Sequence, residues 1–343
     1  MLVVTTTATA GLTFAYASRK LAQVIRQPCP GCGHEVGPAD SITILFVGSD
    51  TRTDIPKSET GQFCARPDCS DLVGPAHSDA IMVLRIFPSV HKVSLLSIPR
   101  DLNVAIAQTG QRDRINAAFG AGPERLVETI RNNLGIPIDH FIDADFVGFS
   151  SMVGVVGGLN VYFPTPTRDL MSDLSVPAGC VRLDSKSALA YVRSRHTEFF
   201  ENGQWISDPL SDLSRVKRQQ DFMRRLISKI KTIRNPLTAK RVLDSSVHYF
   251  KLDDRFSIWD ALRVLRAARG IAPDSIQGTT LPVENIDVGG AAELQLQQPE
   301  ASTVIDSFLR GPAAAPAANG AAAAPRAAGP SSEQPAAPAA PKC

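Results

Sequence analysis

Residues 80–101 read Ala80-Ile81-Met82-Val83-Leu84-Arg85-Ile86-Phe87, Pro88-Ser89-Val90-His91, Lys92-Val93-Ser94-Leu95-Leu96-Ser97-Ile98, Pro99-Arg100-Asp101. Two apolar runs flank a short break, which predicts a hairpin of buried strands over Ala80 to Phe87 and Lys92 to Ile98. Pro99 ends the second run because it has no N–H to give a ladder. Arg100-Asp101 then stands just past a buried strand, where α/β sheets hold their ligands.

The flanking chain alternates strands with helices. Ser41 to Val47 is a further strand, rich in β-branched and aromatic residues with no breaker inside. Pro123 to Leu134 is the clearest helix: Pro123 suits its first turn and Gly135 stands where a left-handed cap is wanted. Phe141 to Val147 reads as a strand, Phe149 to Val156 as an apolar helix, and Leu159 to Phe163 as a strand stopped by Pro164. Asp184 is placed to cap a helix over Ser185 to Tyr191, and Asp212 one from Leu213 to about Arg234. Trp259 to Ala268 is helical in pattern and Ile276 to Val283 strand-like. Strands interleaved with helices predict an α/β/α sandwich, a central mixed β-sheet flanked by helices.

Arginines cluster from Ala188 to Gln220, with Arg193, Arg195, Arg215 and Arg218 beside Lys217, Asp208 and Asp212. Arg215 and Arg218 are three apart and share a helix face, with Gln219 one turn on from Arg215. A guanidinium is a rigid fork of donors that matches phosphate oxygens and keeps its charge. The competing reading is a solvated face whose charges pair with each other. Arg100, on a separate element, tips the reading to a phosphate site. Arg193 and Arg195 share a direction only if the backbone between them is extended.

The 343 residues carry 36 basic and 34 acidic side chains, a formal charge of +2. That argues against a nucleic-acid binder, which needs a clearly basic domain. Leu2 to Ala17 is uncharged and precedes Ser18-Arg19-Lys20. It is short for a membrane span and diluted by threonine. Ala15-Tyr16-Ala17 looks like a cleavage site, yet no basic segment precedes it. The expectation is a partial membrane anchor over residues 1–27 whose start lies upstream of Met1; a soluble strand or helix is the alternative. Residues 28–40 then form a Cys/Gly/Pro linker, 41–310 one folded domain, and 311–343 an Ala/Pro-rich disordered tail. Cys29 and Cys32, with Cys64 and Cys69, fit either zinc or disulfides, and export favours disulfides. Cys343, in the tail, is expected to be unpaired.

Several short motifs stand in a fixed order: Gly48-Ser49-Asp50 with Arg52; Ser78-Asp79; Ser97-Ile98-Pro99-Arg100-Asp101; Arg114-Ile115-Asn116-Ala117-Ala118-Phe119; Asp145-Phe146 with Gly148-Phe149; Val156-Gly157-Gly158; Ala188 to Arg195; and Asp212 to Gln220. The series resembles the LytR-CpsA-Psr family, and the segment between Arg195 and Asp212 with Trp205 looks like its actinobacterial branch. The resemblance implies a membrane-anchored, extracytoplasmic transferase that moves a glycopolymer, here arabinogalactan, from a polyprenyl-pyrophosphate carrier to peptidoglycan. It implies that Arg52, Arg100, Arg193, Arg195, Arg215 and Arg218, with Gln219 and Asn116, bind substrate. It places Mg²⁺ on Asp50 and Asp79, two carboxylates being enough when phosphate oxygens complete the shell.

Asp101 either fixes Arg100 or acts as base, and Asp212 either caps its helix or acts as base. Asn116 read by itself satisfies buried backbone groups. His140 and His196 lack a second histidine at helical spacing and are not expected to bind metal. Phe146, Phe149, Met152, Val153 and Val156, with Ile130 and Leu134, are candidates for a polyprenyl slot, or are ordinary core. Two other functions need the same arginines: a non-catalytic lipid-pyrophosphate binder, and a hydrolase that uses water as acceptor.

Overall fold

The structure, a computed structural model, describes residues 14–33, 41–49, 78–209, 211–233, 235–271, 275–311 and 343. The helix α1 covers residues 14–21 and leads to β1 (Ile25–Gln27). Next come β2 (Ile42–Ser49), β3 (Ser78–Phe87) and β4 (Lys92–Ile98), then a small hairpin of β5 (Asn103–Ala105) and β6 (Arg112–Arg114). Helices α2 (Ile115–Phe119) and α3 (Pro123–Leu134) precede β7 (His140–Asp145) and α4 (Phe146–Val155). Four short strands follow: β8 (Leu159–Phe163), β9 (Thr167–Asp169), β10 (Leu174–Val176) and β11 (Gly179–Leu183). Then come α5 (Ser185–Arg193), the hairpin β12 (Glu198–Glu201) and β13 (Gln204–Ser207), α6 (Ser211–Lys231), and α7 (Pro236–Tyr249). The chain closes with β14 (Phe250–Asp253), α8 (Ile258–Arg269), β15 (Ile276–Thr280), β16 (Val283–Val288), β17 (Ala291–Leu296) and α9 (Glu300–Arg310).

A seven-stranded mixed sheet, in the order β1-β14-β7-β2-β3-β4-β15, forms the centre. β2 runs parallel to β7 and antiparallel to β3, and β4 runs antiparallel to β3 and parallel to β15. Strand alternation divides its side chains between two layers. Leu45, Val47, Ile81, Val83, Leu96 and Ile98 face one core with Leu126 and Ile130 of α3 and Phe308 of α9. Ile42, Ile44, Met82 and Leu95 face the other, against Met223 of α6 and Ala267 of α8. The sandwich is therefore the architecture that the alternating pattern predicts. A second lobe packs α4, α5 and Phe222 of α6 on β8, and a small antiparallel sheet, β10-β9-β12-β13, extends from it.

Local signals explain most boundaries. α3 has Pro123 in its first turn and Gly135 left-handed at φ 64° behind it. α5 begins with a capping box in which Asp184 accepts Ser187 N–H at 2.8 Å while Ser187 Oγ accepts Asp184 N–H at 2.9 Å. α4 starts three residues before the predicted Phe149, because Asp145 accepts the Gly148 N–H at 2.6 Å and nucleates the turn. Gly148 is required there: a Cβ would lie 2.5 Å from the Tyr249 Cβ and 2.7 Å from its carbonyl oxygen.

Other expectations are corrected. β2 runs on to Ser49, because parallel pairing with β7 continues to Ser49–Asp145. The predicted strand Ile276 to Val283 breaks at Pro282 into β15 and the β16–β17 hairpin. α6 begins at Ser211, so Asp212 lies inside the first turn and is not its cap. The sheet reaches back to β1, paired with β14, and Cys29 and Cys32 are fully buried in the core, so the folded unit starts before Ser41. Cys29 and Cys32 are joined in a disulfide and have no thiolate to offer zinc; Cys64 and Cys69 lie outside the described residues. Cys343 is not unpaired but bonded to Cys180, with the Cα atoms 5.7 Å apart.

Candidate functional site

Ser49 pairs with Asp145 on one side and with Ser78 on the other, at a shift in the β2–β3 register. This end of the sheet is the floor of a cavity of about 250 Å³. Phe46 and Gly48 of β2, Ala80 and Met82 of β3, and Asp145 of β7 supply the strand wall. Phe149 of α4, Val192 of α5, and Phe222 and Met223 of α6 close the apolar side, with the rings of Phe149 and Phe222 4.2 Å apart. Arg193, Arg195, His196, Arg215 and Gln219 line the remainder, together with Asp169, Met171 and Ser172. One chamber thus joins an apolar body to three arginine residues.

The two arginines at 193 and 195 share the cavity because α5 stops between them. Ser194 leaves the helix with φ −57° and ψ 125°, and an extended residue turns both neighbours the same way. Asp169 holds this bend. Its Oδ2 accepts Ser194 Oγ–H at 2.6 Å, Arg195 N–H at 2.9 Å and His196 N–H at 2.8 Å. Its Oδ1 accepts the N–H groups of Met171 and Ser172 at 2.9 and 3.1 Å. Burial pushes the Asp169 carboxyl up, but the hydrogen bonds led by Ser194 and His196 outweigh it and hold it below the ordinary range.

Of the arginines expected to converge, Arg193, Arg195 and Arg215 line the cavity, whereas Arg100 and Arg218 do not. Arg218 Nη2 donates to the Ser194 carbonyl at 2.6 Å, and Nη1 lies 3.6 Å from Asp208 Oδ2. It braces the same bend from behind. Arg100 follows β4, and its Nε is 3.4 Å from Asp101 Oδ2; Asp101 also approaches Arg114 at 4.0 Å. Asp101 is thus within ion-pair reach of both arginines. Asn116 lies on α2 away from the cavity lining, and its N–H donates to the Arg100 carbonyl at 3.1 Å, so it ties α2 to the loop that carries Arg100. Gln219 lines the cavity and donates to the Val192 carbonyl at 3.4 Å.

Gln220, beside Gln219, has the opposite task. It is buried and donates to Ser97 Oγ, the Thr279 carbonyl and Thr280 Oγ1 at 2.9–3.1 Å, pinning α6 to β4 and β15. Asp50 and Arg52 lie outside the described residues, and the side chains of Asp79 and Asp212 are likewise not described. Among the described residues no group of three His, Cys, Asp or Glu is placed to hold a metal. Of the apolar residues proposed for a slot, Phe149 lines the cavity, while Met152, Val153 and Val156 pack into the second lobe. Ile130 and Leu134 are core on the other side of the sheet, because α3 covers the face opposite α6.

Asp169 is the residue that motif reading misses. Its partners are backbone groups 25–27 positions downstream, and no local pattern announces them. Asp143, on β7 two residues before Asp145, is fully buried; burial pushes its carboxyl up to about 6, against the opposing effects of Ser49 and Lys251.

The sequence profile of the LytR_cpsA_psr family matches residues 12–308. The chain belongs to the LytR-CpsA-Psr family. Among relatives, it is 32% identical over 284 residues to the "Probable cell wall biosynthesis protein LcpB" of Corynebacterium glutamicum, covering 81% of this chain and 63% of that one. It is 34% identical over 167 residues to the "Polyisoprenyl-teichoic acid--peptidoglycan teichoic acid transferase TagV" of Bacillus subtilis, covering 46% and 40%. The chain thus spans roughly half the length of the curated relatives it matches. A LytR-Csp2A-Psr enzyme from Actinomyces oris shares the fold at a TM-score of 0.64 and 23% identity, over 83% of this chain and 96% of that one.

Proposed function

We propose that this chain is a transferase that moves a glycopolymer, arabinogalactan in our reading, from a polyprenyl-pyrophosphate carrier to peptidoglycan at the outer face of the membrane. The supporting observation is the cavity itself, in which Phe149, Phe222 and Met82 offer an apolar bed and Arg193, Arg195 and Arg215 offer charge. An isoprenoid diphosphate has that same division into apolar tail and concentrated anion. Membership in a family that includes a relative named as a polyisoprenyl-teichoic acid–peptidoglycan transferase supports the reaction class.

The chemistry is phosphoryl transfer, which rests on positioning and neutralisation of charge. The acceptor hydroxyl attacks the sugar-bearing phosphorus, the bond to the bridging oxygen breaks, and polyprenyl phosphate leaves. The three arginines hold the diphosphate and take up the charge that grows on the leaving phosphate. A carboxylate receives the hydroxyl proton. Asp101 is engaged with Arg100 and Arg114, so we assign the base to Asp212, one turn before Arg215 on α6. Asp50 and Asp79 are the Mg²⁺ ligands in this reading. They follow Ser49 and Ser78, a cross-strand pair at the cavity end of the sheet, and a set of two carboxylates suits a metal whose shell is completed by phosphate. Bound there, Mg²⁺ supplies further neutralisation of the diphosphate.

No helix among the described residues is long and apolar enough to cross a membrane. The test is the full chain with a lipid-linked oligosaccharide diphosphate, with and without a peptidoglycan fragment. Acceptor-dependent ligated product is expected. Free phosphorylated sugar without acceptor indicates a hydrolase, and binding without turnover a carrier; either overturns the reading.

A further inference from the structure

Far from the cavity lining, α8 turns a wet face that is not polar. Its inner residues, Val264 and Ala267, pack on the sheet, while Trp259 is 65% exposed and Leu262 and Leu265 are also open to solvent. Arg263 and Arg266 stand among them, Arg263 with 61% of its side chain exposed. Exposed Trp and Leu interleaved with arginine on one helix face is the composition of an interfacial helix, apolar atoms at the acyl boundary and cations at the headgroups.

A second observation points the same way. Phe14, at the start of α1, lies against Trp259 with ring centroids 5.4 Å apart, and it is itself exposed. Tyr16 and Lys20 fix α1 to Asp244 of α7, at 2.5 and 2.9 Å. The uncharged run that ends at Ala17 therefore enters the fold beside this face, and α1 adds the exposed Arg19. Tryptophan gathers at membrane interfaces because its ring is apolar and carries one polar N–H.

We propose that the Trp259 face of α8, with Phe14, is a peripheral docking surface for a bilayer rich in anionic lipid. The contact is made by the folded domain itself, in addition to any span in the preceding chain, and it fixes how the domain lies on the membrane. Trp259 and Leu262 enter the acyl boundary, and Arg263 and Arg266 meet lipid phosphates. It does not depend on the transfer reaction.

The chain has two tryptophans, so a full chain carrying Trp205→Phe reports on Trp259 alone. It is mixed with phosphatidylglycerol/phosphatidylcholine vesicles whose acyl chains are brominated, and compared with unbrominated vesicles. The expected result is a blue shift and at least twofold quenching of Trp259 by the brominated lipid. Arg263→Glu with Arg266→Glu is expected to weaken the quenching titration by roughly thirtyfold or more, since each basic residue near an anionic surface contributes about 1 kcal/mol. A chain that sediments with vesicles while Trp259 emission stays unchanged overturns the proposal, because the preceding segment then holds it alone. Unaltered quenching in the double arginine variant overturns the assignment of the headgroup contact, and a chain that ignores vesicles leaves the face to a protein partner.

Discussion

Asp169 Oδ2 accepts the backbone N–H of Arg195 at 2.9 Å. This bond, with those to Ser194 and His196, fixes the point where α5 ends and the cavity begins. Arg218 supports the same bend through the Ser194 carbonyl. The backbone that carries Arg193 and Arg195 to the cavity is therefore held by a carboxylate and an arginine that do not need to touch the ligand with their charges.

Asp169→Asn loses the charge that attracts these N–H groups and replaces one oxygen with a donor facing donors. We expect kcat/KM to fall by about tenfold to a hundredfold, the range that loss of positioning costs. Stability should drop by about 2 kcal/mol. Steady-state transfer assays and denaturant unfolding check the two together. Wild-type turnover in the folded variant contradicts the positioning role.

Arg215→Lys keeps the charge but loses the planar fork, so it is not conservative at a diphosphate. Transfer should fall by roughly a hundredfold or more, as when a transition-state donor is removed. Arg218→Ala should lower the melting temperature as well as activity, because its guanidinium holds the Ser194 carbonyl and faces Asp208. Steady-state kcat/KM for Arg215→Lys and thermal unfolding for Arg218→Ala check the two expectations.

Gly148→Ala puts a methyl into Tyr249, whose Cβ and carbonyl oxygen leave 2.5 and 2.7 Å. One of them is backbone, so α4 and α7 must part. Overpacking of this kind costs about 1–3 kcal/mol, read directly in urea unfolding. A neutral outcome contradicts the packing of these helices.

Asp143 has its carboxyl raised from 3.8 to about 6 by burial. The folded state binds its proton more tightly than the unfolded chain between those values, so this group makes stability fall as pH rises through that window. Asp143→Asn removes the titration. Relative to wild type, the variant should gain up to about 3 kcal/mol between pH 4 and pH 7, seen as a flatter dependence of unfolding free energy on pH. An unchanged slope contradicts a buried, raised Asp143.

The elements that could be read from sequence are those whose signals are local. The Ala80–Ile98 hairpin, the helix Pro123–Leu134 and the strand Leu159–Phe163 appear at the expected bounds or close to them, because alternation, proline and glycine act within a few residues. The hairpin at Glu201-Asn202-Gly203-Gln204 carries a local signal of the same kind: Asn202 and Gly203 both take positive φ, 51° and 80°, as a two-residue turn requires. The site was half legible. Arg193, Arg195, Arg215 and Gln219 meet at one cavity, but nothing local separates them from Arg218, which points back to Ser194. Nor does composition tell Phe149, at the cavity, from Ile130, beneath the opposite face of the sheet; only the layer a helix joins decides that.

The most direct test is a crystal structure of the chain with a polyprenyl diphosphate analogue and Mg²⁺. The account predicts diphosphate oxygens within hydrogen-bonding distance of Arg193, Arg195 and Arg215, and prenyl carbons packed against Phe149, Phe222 and Met82. A ligand bound elsewhere, or one whose diphosphate lies away from those three arginines, contradicts it.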